Sequence, residues 1–222
     1  MIYYDKQTDG IRVVVWHVTE EYEELLSMLP DADSVQNEAE QQFSSEFRRV
    51  EWTAVRVLLY TVLDRQVHIS YNEQGAPLLP DYEGLHISIS HTKGYVAIAL
   101  SETSAVGIDV EQIERLNKDN QFDDKEKMPR VEKVRSRFMR DDESAETLVG
   151  TLLHWSAKET VFKVLGREGV DFQDEMKVNP FDETQYEGDF SLEDLKEDDT
   201  YIIYYKVFDD FVLTYTKRNN HE

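Results

Sequence analysis

The segment His154–Gly166, HWSAKETVFKVLG, constrains the fold of this chain more than any other stretch. Apolar residues occur on both sides of the helix that it predicts, so most of this helix must be buried in a core. The same helix carries Lys158, Glu159 and Lys163, and an apolar environment disfavours each of these charges unless a partner neutralises it. The chain must therefore fold so that another element supplies partners for these side chains.

Glu159 lies in an apolar stripe of the long helix that we predict over Glu146–Leu165. At about 100° per residue, the carboxylate shares this stripe with leucine and aromatic side chains: Leu148, Leu152, Trp155 and Phe162. One interpretation is a surface pair between Glu159 and Lys163, four residues on, worth about 0.2–0.5 kcal/mol. A surface pair explains a carboxylate in an apolar stripe poorly. A metal ion or an ionic ligand is the better neutralising partner.

The composition indicates a globular, acidic protein. Hydrophobic residues make up 40% and aromatic residues 11% of the 222 residues, which suffices for a substantial core. The net charge of −22 argues against binding to nucleic acid or to an anionic membrane surface. No run approaches the roughly 20 apolar residues that span a bilayer, and the N-terminus has no signal-peptide pattern. The absence of cysteine excludes disulfides, thiolate catalysis and cysteine-ligated metals, and it fits the cytoplasmic location that we expect.

One segment departs from this acidic character. Between Lys125 and Arg140, the sequence KEKMPRVEKVRSRFMR contains seven basic and two acidic residues. Its apolar residues Val131, Val134 and Phe138 have helical spacing and predict an amphipathic helix. The segment is either a solvated helix face with nearby counter-charges or a docking site for an acidic partner, because local complementarity steers encounter even when net charge does not.

The order of predicted elements is similar in the two halves of the chain. Each half contains a long helix followed by a two-stranded hairpin, although no repeat of residue identity is visible. The main predicted elements are the strand Ile11–Val18, the helix Phe43–Asp64, the hairpin Leu85–Leu100, the strand Ala105–Ile113, the helix Glu146–Leu165 and the hairpin Tyr201–Thr216. This order is compatible with a duplicated unit, divided at a weak linker near Ser101–Ser104 into 1–104 and 105–222.

The strand GIDVEQ holds two carboxylates on one face. Asp109 and Glu111 are two residues apart, roughly 6.5–7 Å along the backbone, and they repel each other unless a cation lies between them. Oxygen ligands suit a hard cation such as Mg²⁺. The alternative is a pair of exposed carboxylates on an edge strand, although aspartate is an unfavourable strand residue between Ile108 and Val110.

Ser90 and His91 end a predicted strand and are followed by the turn residues TKG. The hydroxyl, the imidazole, the ammonium of Lys93 and the turn amides together suit a phosphate. No glycine-rich elbow surrounds the serine, so we do not expect a serine hydrolase. The other histidines in apolar-flanked positions are predicted to be structural: His17, His68, His86 and His154.

Three motifs in this order resemble those of the 4′-phosphopantetheinyl transferase superfamily. They are ISISHTKGY (Ile87–Tyr95), VGIDVE (Val106–Glu111) and WSAKETVFK (Trp155–Lys163). The resemblance runs from about Phe43 to Phe172, and the chain length is similar to the monomeric surfactin-synthetase-activating type. It implies an α+β fold, a pseudo-twofold pair of similar subdomains that each consist of a long helix packed on a small, mainly antiparallel sheet.

The resemblance also implies a reaction, in which the 4′-phosphopantetheine arm of coenzyme A is transferred to a serine of an apo acyl or peptidyl carrier protein and adenosine 3′,5′-bisphosphate is released. Such an enzyme is a holo-[acyl-carrier-protein] synthase. In this interpretation Asp109, Glu111 and Glu159 hold Mg²⁺, or Mn²⁺, and Glu159 accepts the serine proton. Lys163 is a second catalytic candidate, because it would bind the diphosphate of coenzyme A. The implied substrate contacts are Lys158, Lys163, Ser90, His91, Arg48, Arg49 and Arg56.

The sequence departs from the family pattern in two respects. Ala76, in YNEQGAPLLP, stands where the family has a phosphate-binding lysine, so Lys93 or an arginine is expected to replace it. The chain is also unusually acidic for an enzyme with acidic carrier partners. The resemblance places the carrier contact on the basic segment and so favours docking by Arg130, Lys133 and Arg137. It assigns nucleotide-phosphate contacts to 1–104, and the metal site and carrier docking to 105–222.

Two other interpretations stay open. The chain could be a non-catalytic protein that binds coenzyme A or a carrier, but the intact set of Asp109, Glu111, Glu159 and Lys163 argues against this. It could also be a Mg²⁺-dependent phosphohydrolase, which requires an activated water. We expect a monomer whose partners are coenzyme A and a carrier protein.

Overall fold

The computed structural model describes residues 1–113 and 130–219. The chain divides into two compact units, Met1–Thr103 and Ser104–Glu222. Each unit contains an 18-residue helix and an antiparallel sheet, so the α+β prediction is confirmed. None of the described helices combines the length and the apolar character that crossing a bilayer requires.

The first unit contains a four-stranded antiparallel sheet in the order β1-β2-β6-β5 and a separate two-stranded ladder of β3 and β4. Its elements are β1 (Ile2–Thr8), β2 (Ile11–His17), α1 (Tyr22–Ser27), α2 (Ala32–Gln42), α3 (Glu46–Leu63), β3 (Ser70–Tyr71), β4 (Pro77–Leu78), β5 (His86–Thr92) and β6 (Tyr95–Ser101). The hairpin β5–β6 turns at Lys93 and Gly94, where the glycine adopts φ 82°, a conformation that glycine reaches at little cost.

The long helix α3 packs on this sheet through the stripe that its sequence predicts. Trp52, Val55 and Leu59 are buried, and they share one apolar cluster with Val96 and Ile98 of β6. This burial is what holds an otherwise marginal isolated helix in place.

The second unit contains a five-stranded antiparallel sheet in the order β7-β11-β10-β9-β8. Its described elements are β7 (Val106–Gln112), α4 (Arg130–Phe138), α5 (Leu148–Leu165), β8 (Met176–Val178), β9 (Glu187–Asp194), β10 (Asp199–Val207) and β11 (Phe211–Lys217). As predicted, the central helix α5 is largely buried: Leu152, Leu153 and Val161 have no exposed surface.

Both ends of α5 are capped. At its start, Thr147 Oγ1 accepts a hydrogen bond of 2.8 Å from the N–H of Gly150. The carboxylate of Glu183 accepts from the backbone N–H groups of Glu146 (3.0 Å) and Thr147 (2.9 Å), which satisfies free donors and places negative charge at the positive end of the helix. At its end, Gly166 adopts the left-handed conformation with φ 57°, a common helix stop.

The two units repeat one order of elements. In the first, β2 is followed by α3 and by the hairpin β5–β6, whose second strand pairs with β2. In the second, β7 is followed by α5 and by the hairpin β10–β11, whose second strand pairs with β7. The duplicated order expected from the sequence is therefore present. The strands β1, β8 and β9 are additions that the sequence did not predict.

Candidate active site

The centre of the candidate site is the carboxylate of Asp109 on β7, whose residue is only 5% exposed. Its Oδ1 atom accepts a hydrogen bond of 2.9 Å from Lys163 Nζ, and its Oδ2 atom accepts one of 2.9 Å from Ser156 Oγ. Lys163 Nζ also donates to the carbonyl oxygen of Ile108 at 2.7 Å. An ion pair and hydrogen bonds at Asp109 thus connect the strand β7 to the helix α5.

A glycine lets β7 and α5 come this close. A Cβ atom added to Gly107 would overlap the carbonyl oxygen of Thr160 and lie 2.9 Å from Val164 Cγ2. No other residue type fits here without moving the helix backbone. Gly107, two residues before Asp109, therefore sets the distance at which the α5 side chains meet the β7 carboxylate.

Three hydroxyls continue the network away from Asp109. Thr214 lies on β11, directly opposite Asp109 in the strand register. Its Oγ1 atom is 2.8 Å from Ser156 Oγ and 2.7 Å from Thr160 Oγ1. A carboxylate can only accept, so Ser156 donates to Asp109, Thr214 donates to Ser156, and Thr160 donates to Thr214. Sequence reasoning assigned no role to these three residues. Ser156 and Thr160 lie in the motif WSAKETVFK, but a small hydroxyl side chain does not reveal its partner on a distant strand.

Glu159 projects from α5 beside this network. Burial is the main cause that raises its pKa above the usual carboxyl value, and the negative charge of Asp109 adds to the rise. Lys163, the indole of Trp155 and Arg137 oppose it, with Trp155 Nε1 3.4 Å from Glu159 Oε1. A carboxyl whose pKa moves toward neutrality is suited to accept and release a proton.

Glu111 is buried on the same strand, with 8% of its surface exposed. In the described ranges 1–113 and 130–219, no group of three or more histidine, aspartate or glutamate side chains is arranged to hold a metal ion. The chemistry of the donors nevertheless fits a hard cation, because Asp109 and Glu111 offer carboxylate oxygens and the Asp109 charge raises the pKa of Glu159, so added positive charge is favourable here.

The structure assigns Lys158 a role that differs from the predicted phosphate contact. Its side chain has no exposed surface, and Nζ donates to the carbonyl oxygens of Phe138 (2.7 Å) and Phe172 (3.1 Å) and to Glu143 Oε2 (2.8 Å). These bonds use all three N–H donors of the ammonium. The predicted contact of Lys158 with substrate is therefore replaced by a structural role.

The first unit holds a cavity of about 320 Å³ on α3. Its lining is a mixture of charged and aromatic side chains around the turn between β3 and β4: Arg48, Glu51, Trp52, Arg56, Tyr71, Gly75, Pro77 and His91 among them. Glu51 Oε2 accepts from Arg48 Nη1 at 2.9 Å, and Glu51 Oε1 is 3.3 Å from His91 Nδ1. Cations gathered in an aromatic cavity suit a nucleotide or phosphate ligand.

Not all of the predicted phosphate contacts of this unit line the cavity in an open position. Arg56 lies with its guanidinium carbon 3.0 Å from the centroid of the Trp52 ring, and burial lowers its pKa to about 10. Arg49 is directed elsewhere: its Nη2 atom donates to the Ser44 carbonyl oxygen at 3.2 Å, and it is not among the residues that line the described cavity. Ser90 is buried in β5.

The predicted docking residues lie on α4. Arg130 is its first residue, and Lys133 and Arg137 are exposed on it. Arg137 stands 5.3 Å from the centroid of the Phe138 ring. The basic residues Lys125 and Lys127 of the same segment lie outside the described residues.

Comparison with known proteins gives two findings. The model of the 4′-phosphopantetheinyl transferase superfamily matches residues 105–216. The chain is also similar to a 4′-phosphopantetheinyl transferase, AcpT, of Salmonella typhi and of Escherichia coli K12, with 38% identity over 66 residues in both cases. This match covers 30% of the present chain and 34% of each relative, so the matched segment spans about a third of the length of the curated relatives.

Proposed function

Because the chain belongs to the 4′-phosphopantetheinyl transferase superfamily, we propose that it transfers the 4′-phosphopantetheine arm of coenzyme A to a serine of an apo acyl or peptidyl carrier protein. The observation that carries this proposal is the meeting of the two family motifs in the second unit, where Lys163 of α5 bonds Asp109 of β7 beside Glu159. The product beside the holo-carrier is adenosine 3′,5′-bisphosphate.

The bond changes assign a role to Glu159. The serine oxygen forms a bond to the phosphorus that bears the pantetheine arm, the diphosphate bond to the adenosine-bearing phosphate breaks, and the serine proton passes to the Glu159 carboxylate. Burial and the Asp109 charge raise the pKa of Glu159, which strengthens it as a base once it is ionised. A positioned base of this kind contributes typically 10²–10⁴-fold to rate.

Asp109, Glu111 and Glu159 are the residues that would hold Mg²⁺ or Mn²⁺. When bound, such an ion offsets the charge that develops on the leaving phosphate. Lys163 supplies a second positive charge at the same place and is our candidate for binding the diphosphate. Lys163 is only partly buried, with 26% of its side chain exposed, so the side chain is not sealed from a ligand.

We assign the nucleotide end of coenzyme A to residues 1–104, where Arg48, Arg56 and His91 line the cavity. Arg48 and Arg56 line the same cavity as Gly75 and Pro77, the neighbours of Ala76, and are our candidates for replacing the lysine that the family has there. The metal site and the carrier contact belong to residues 105–222, with Lys133 and Arg137 of α4 facing an acidic carrier. We further propose that the protein works as a monomer in the cytoplasm.

The test is an incubation of the protein with coenzyme A, Mg²⁺ and an apo carrier, followed by intact-mass measurement of the carrier. We expect the mass to rise by one phosphopantetheine arm, and a carrier whose acceptor serine is replaced by alanine to stay unchanged. Binding of coenzyme A without a mass gain on any carrier would indicate a non-catalytic binding protein. Breakdown of coenzyme A in the absence of carrier would indicate a phosphohydrolase.

A further inference from the structure

We propose that Lys158 is a positioning residue that fixes the basic helix α4 to the helix α5 directly beside Glu159. Its kinetic consequence rests on the proposed transfer function, whereas its structural consequence is independent of it. Lys158 belongs to the motif WSAKETVFK, but its side chain has no exposed surface that could contact a substrate.

The first observation is the position of the Lys158 ammonium. It is completely buried and bonds groups from three separate segments of the second unit: the carbonyl oxygen of Phe138 at the end of α4, the carboxylate of Glu143, and the carbonyl oxygen of Phe172. The Phe138 bond is the shortest, at 2.7 Å. A lysine in this position ties the last carbonyl of α4 to the middle of α5 and favours the negative end of the α4 dipole.

Glu143, the partner of Lys158, bonds two further backbone groups of the second unit. Its Oε2 atom, besides accepting from Lys158, accepts from the backbone N–H of Arg140 at 2.8 Å. Its Oε1 atom accepts from the N–H of Val178 on β8 at 2.6 Å. One buried ion pair thereby anchors the segment that follows α4 to both the helix and the sheet of this unit.

Lys158 is the neighbour of Glu159 on α5. Neighbouring residues of an α-helix point about 100° apart, so Lys158 reaches the end of α4 while Glu159 projects beside Asp109. The Phe138 ring also stacks on Trp155, with 5.4 Å between the ring centroids. A displacement of the α4 end therefore moves Lys133 and Arg137, the exposed cations of the proposed carrier contact, relative to Glu159.

Stability alone does not account for a buried ion pair. The cost of taking both charges out of water is about as large as their attraction, and apolar replacements of similar volume are often neutral or stabilising. Unlike an apolar contact, the ion pair is directional. Its hydrogen bonds are all satisfied in only one arrangement of α4, Glu143 and α5. The pair is therefore suited to positioning.

The test compares three variants. Lys158→Met removes the ammonium and leaves the buried Glu143 charge without its cationic partner, which can unfold the protein. The double variant Lys158→Met/Glu143→Gln removes both charges at similar volume, and its new amide oxygen keeps one of the two backbone bonds that Glu143 accepts. The matched control is Arg167→Met, because Arg167 is ion-paired to Glu175 (2.8 Å) and Asp194 (3.1 Å) beyond the far end of α5.

The readouts separate positioning from stability. In the folded double variant we expect hydrogen exchange of the peptide over α4 to accelerate about tenfold while α5 keeps its protection. We expect KM for the carrier to rise about tenfold, with kcat and KM for coenzyme A changing less than about twofold. Arg167→Met should lower thermal stability and leave α4 exchange and the carrier KM as in the wild type.

Unchanged α4 exchange in the double variant overturns the proposal, as does a carrier KM within about twofold of the wild type. Failure of the transfer function is distinguishable, since the wild type would then modify no carrier. In that case the exchange of α4 decides the proposal by itself.

Discussion

Replacement of Gly107 by alanine tests whether close contact of β7 and α5 builds the site. The added Cβ would overlap the carbonyl oxygen of Thr160 and approach Val164 Cγ2 to 2.9 Å. The first neighbour is helix backbone, which cannot rotate away, so the strand and the helix must separate. Overpacking of a core costs typically 1–3 kcal/mol, and we place this case at the upper end, about 3 kcal/mol. At roughly 2–4 °C per kcal/mol for a chain of this size, Tm should fall by about 6–12 °C.

The assay is thermal unfolding by circular dichroism, with arm transfer measured well below Tm. Because separation of the strand from the helix lengthens the 2.9 Å bond between Lys163 and Asp109, we expect transfer to fall even where Gly107→Ala is fully folded. The control is Gly188→Ala, whose Cβ would meet the outer atoms of the Tyr205 ring at 3.3 Å. Its stability should change by less than about 1 kcal/mol. A Gly107→Ala protein with the Tm and activity of the control would refute the reasoning.

Two further substitutions test the charges of the site. Glu159→Gln should reduce kcat by about 10²–10⁴-fold, measured by carrier mass gain, and full activity would remove Glu159 from both proposed roles. The raised pKa of Glu159 means that this carboxyl keeps its proton in the folded state at pH values where the unfolded state has lost it, so ionisation of Glu159 reduces the stability of the wild type as pH rises above about 4.5. In EDTA, the stability of Glu159→Gln should therefore match that of the wild type at pH 4 and exceed it at pH 7. An equal stability difference at both pH values would contradict the raised pKa as its cause. Lys163→Met should bind Mn²⁺ about tenfold more tightly by calorimetry without coenzyme A, because Lys163 no longer competes for Asp109 Oδ1. Unchanged or weaker affinity would contradict this competition.

The sequence was sufficient to predict those elements whose pattern of apolar residues is local. Periodicity predicted α3, α5 and both hairpins, and their order along the chain is the duplicated order that the structure shows. The apolar stripe around Glu159 also showed that this carboxylate is not freely solvated. Strands β1, β8 and β9 were not predicted, because β8 has only three residues and β1 and β9 mix apolar with many polar residues. Short or polar-rich segments of this kind are equally typical of loops.

The partners of the buried charges could not be predicted. Lys158 and Lys163 look equivalent in the sequence, because both lie among apolar residues of one predicted helix. The structure distinguishes them: Lys158 bonds Glu143 and Lys163 bonds Asp109. These partners come from distant segments whose approach depends on the whole fold. The surface pair between Glu159 and Lys163 that the spacing suggested is not how Lys163 is bonded, since its ammonium lies on Asp109 and on the Ile108 carbonyl.

The central claim is that the arm leaves coenzyme A only as it joins a carrier serine. The most direct measurement is a single reaction in which adenosine 3′,5′-bisphosphate is quantified by chromatography and holo-carrier by intact mass. We predict equal molar amounts of the two products, and no nucleotide release when the carrier is omitted or its acceptor serine is alanine. Release of the bisphosphate in excess of holo-carrier, or without any carrier, would contradict the account.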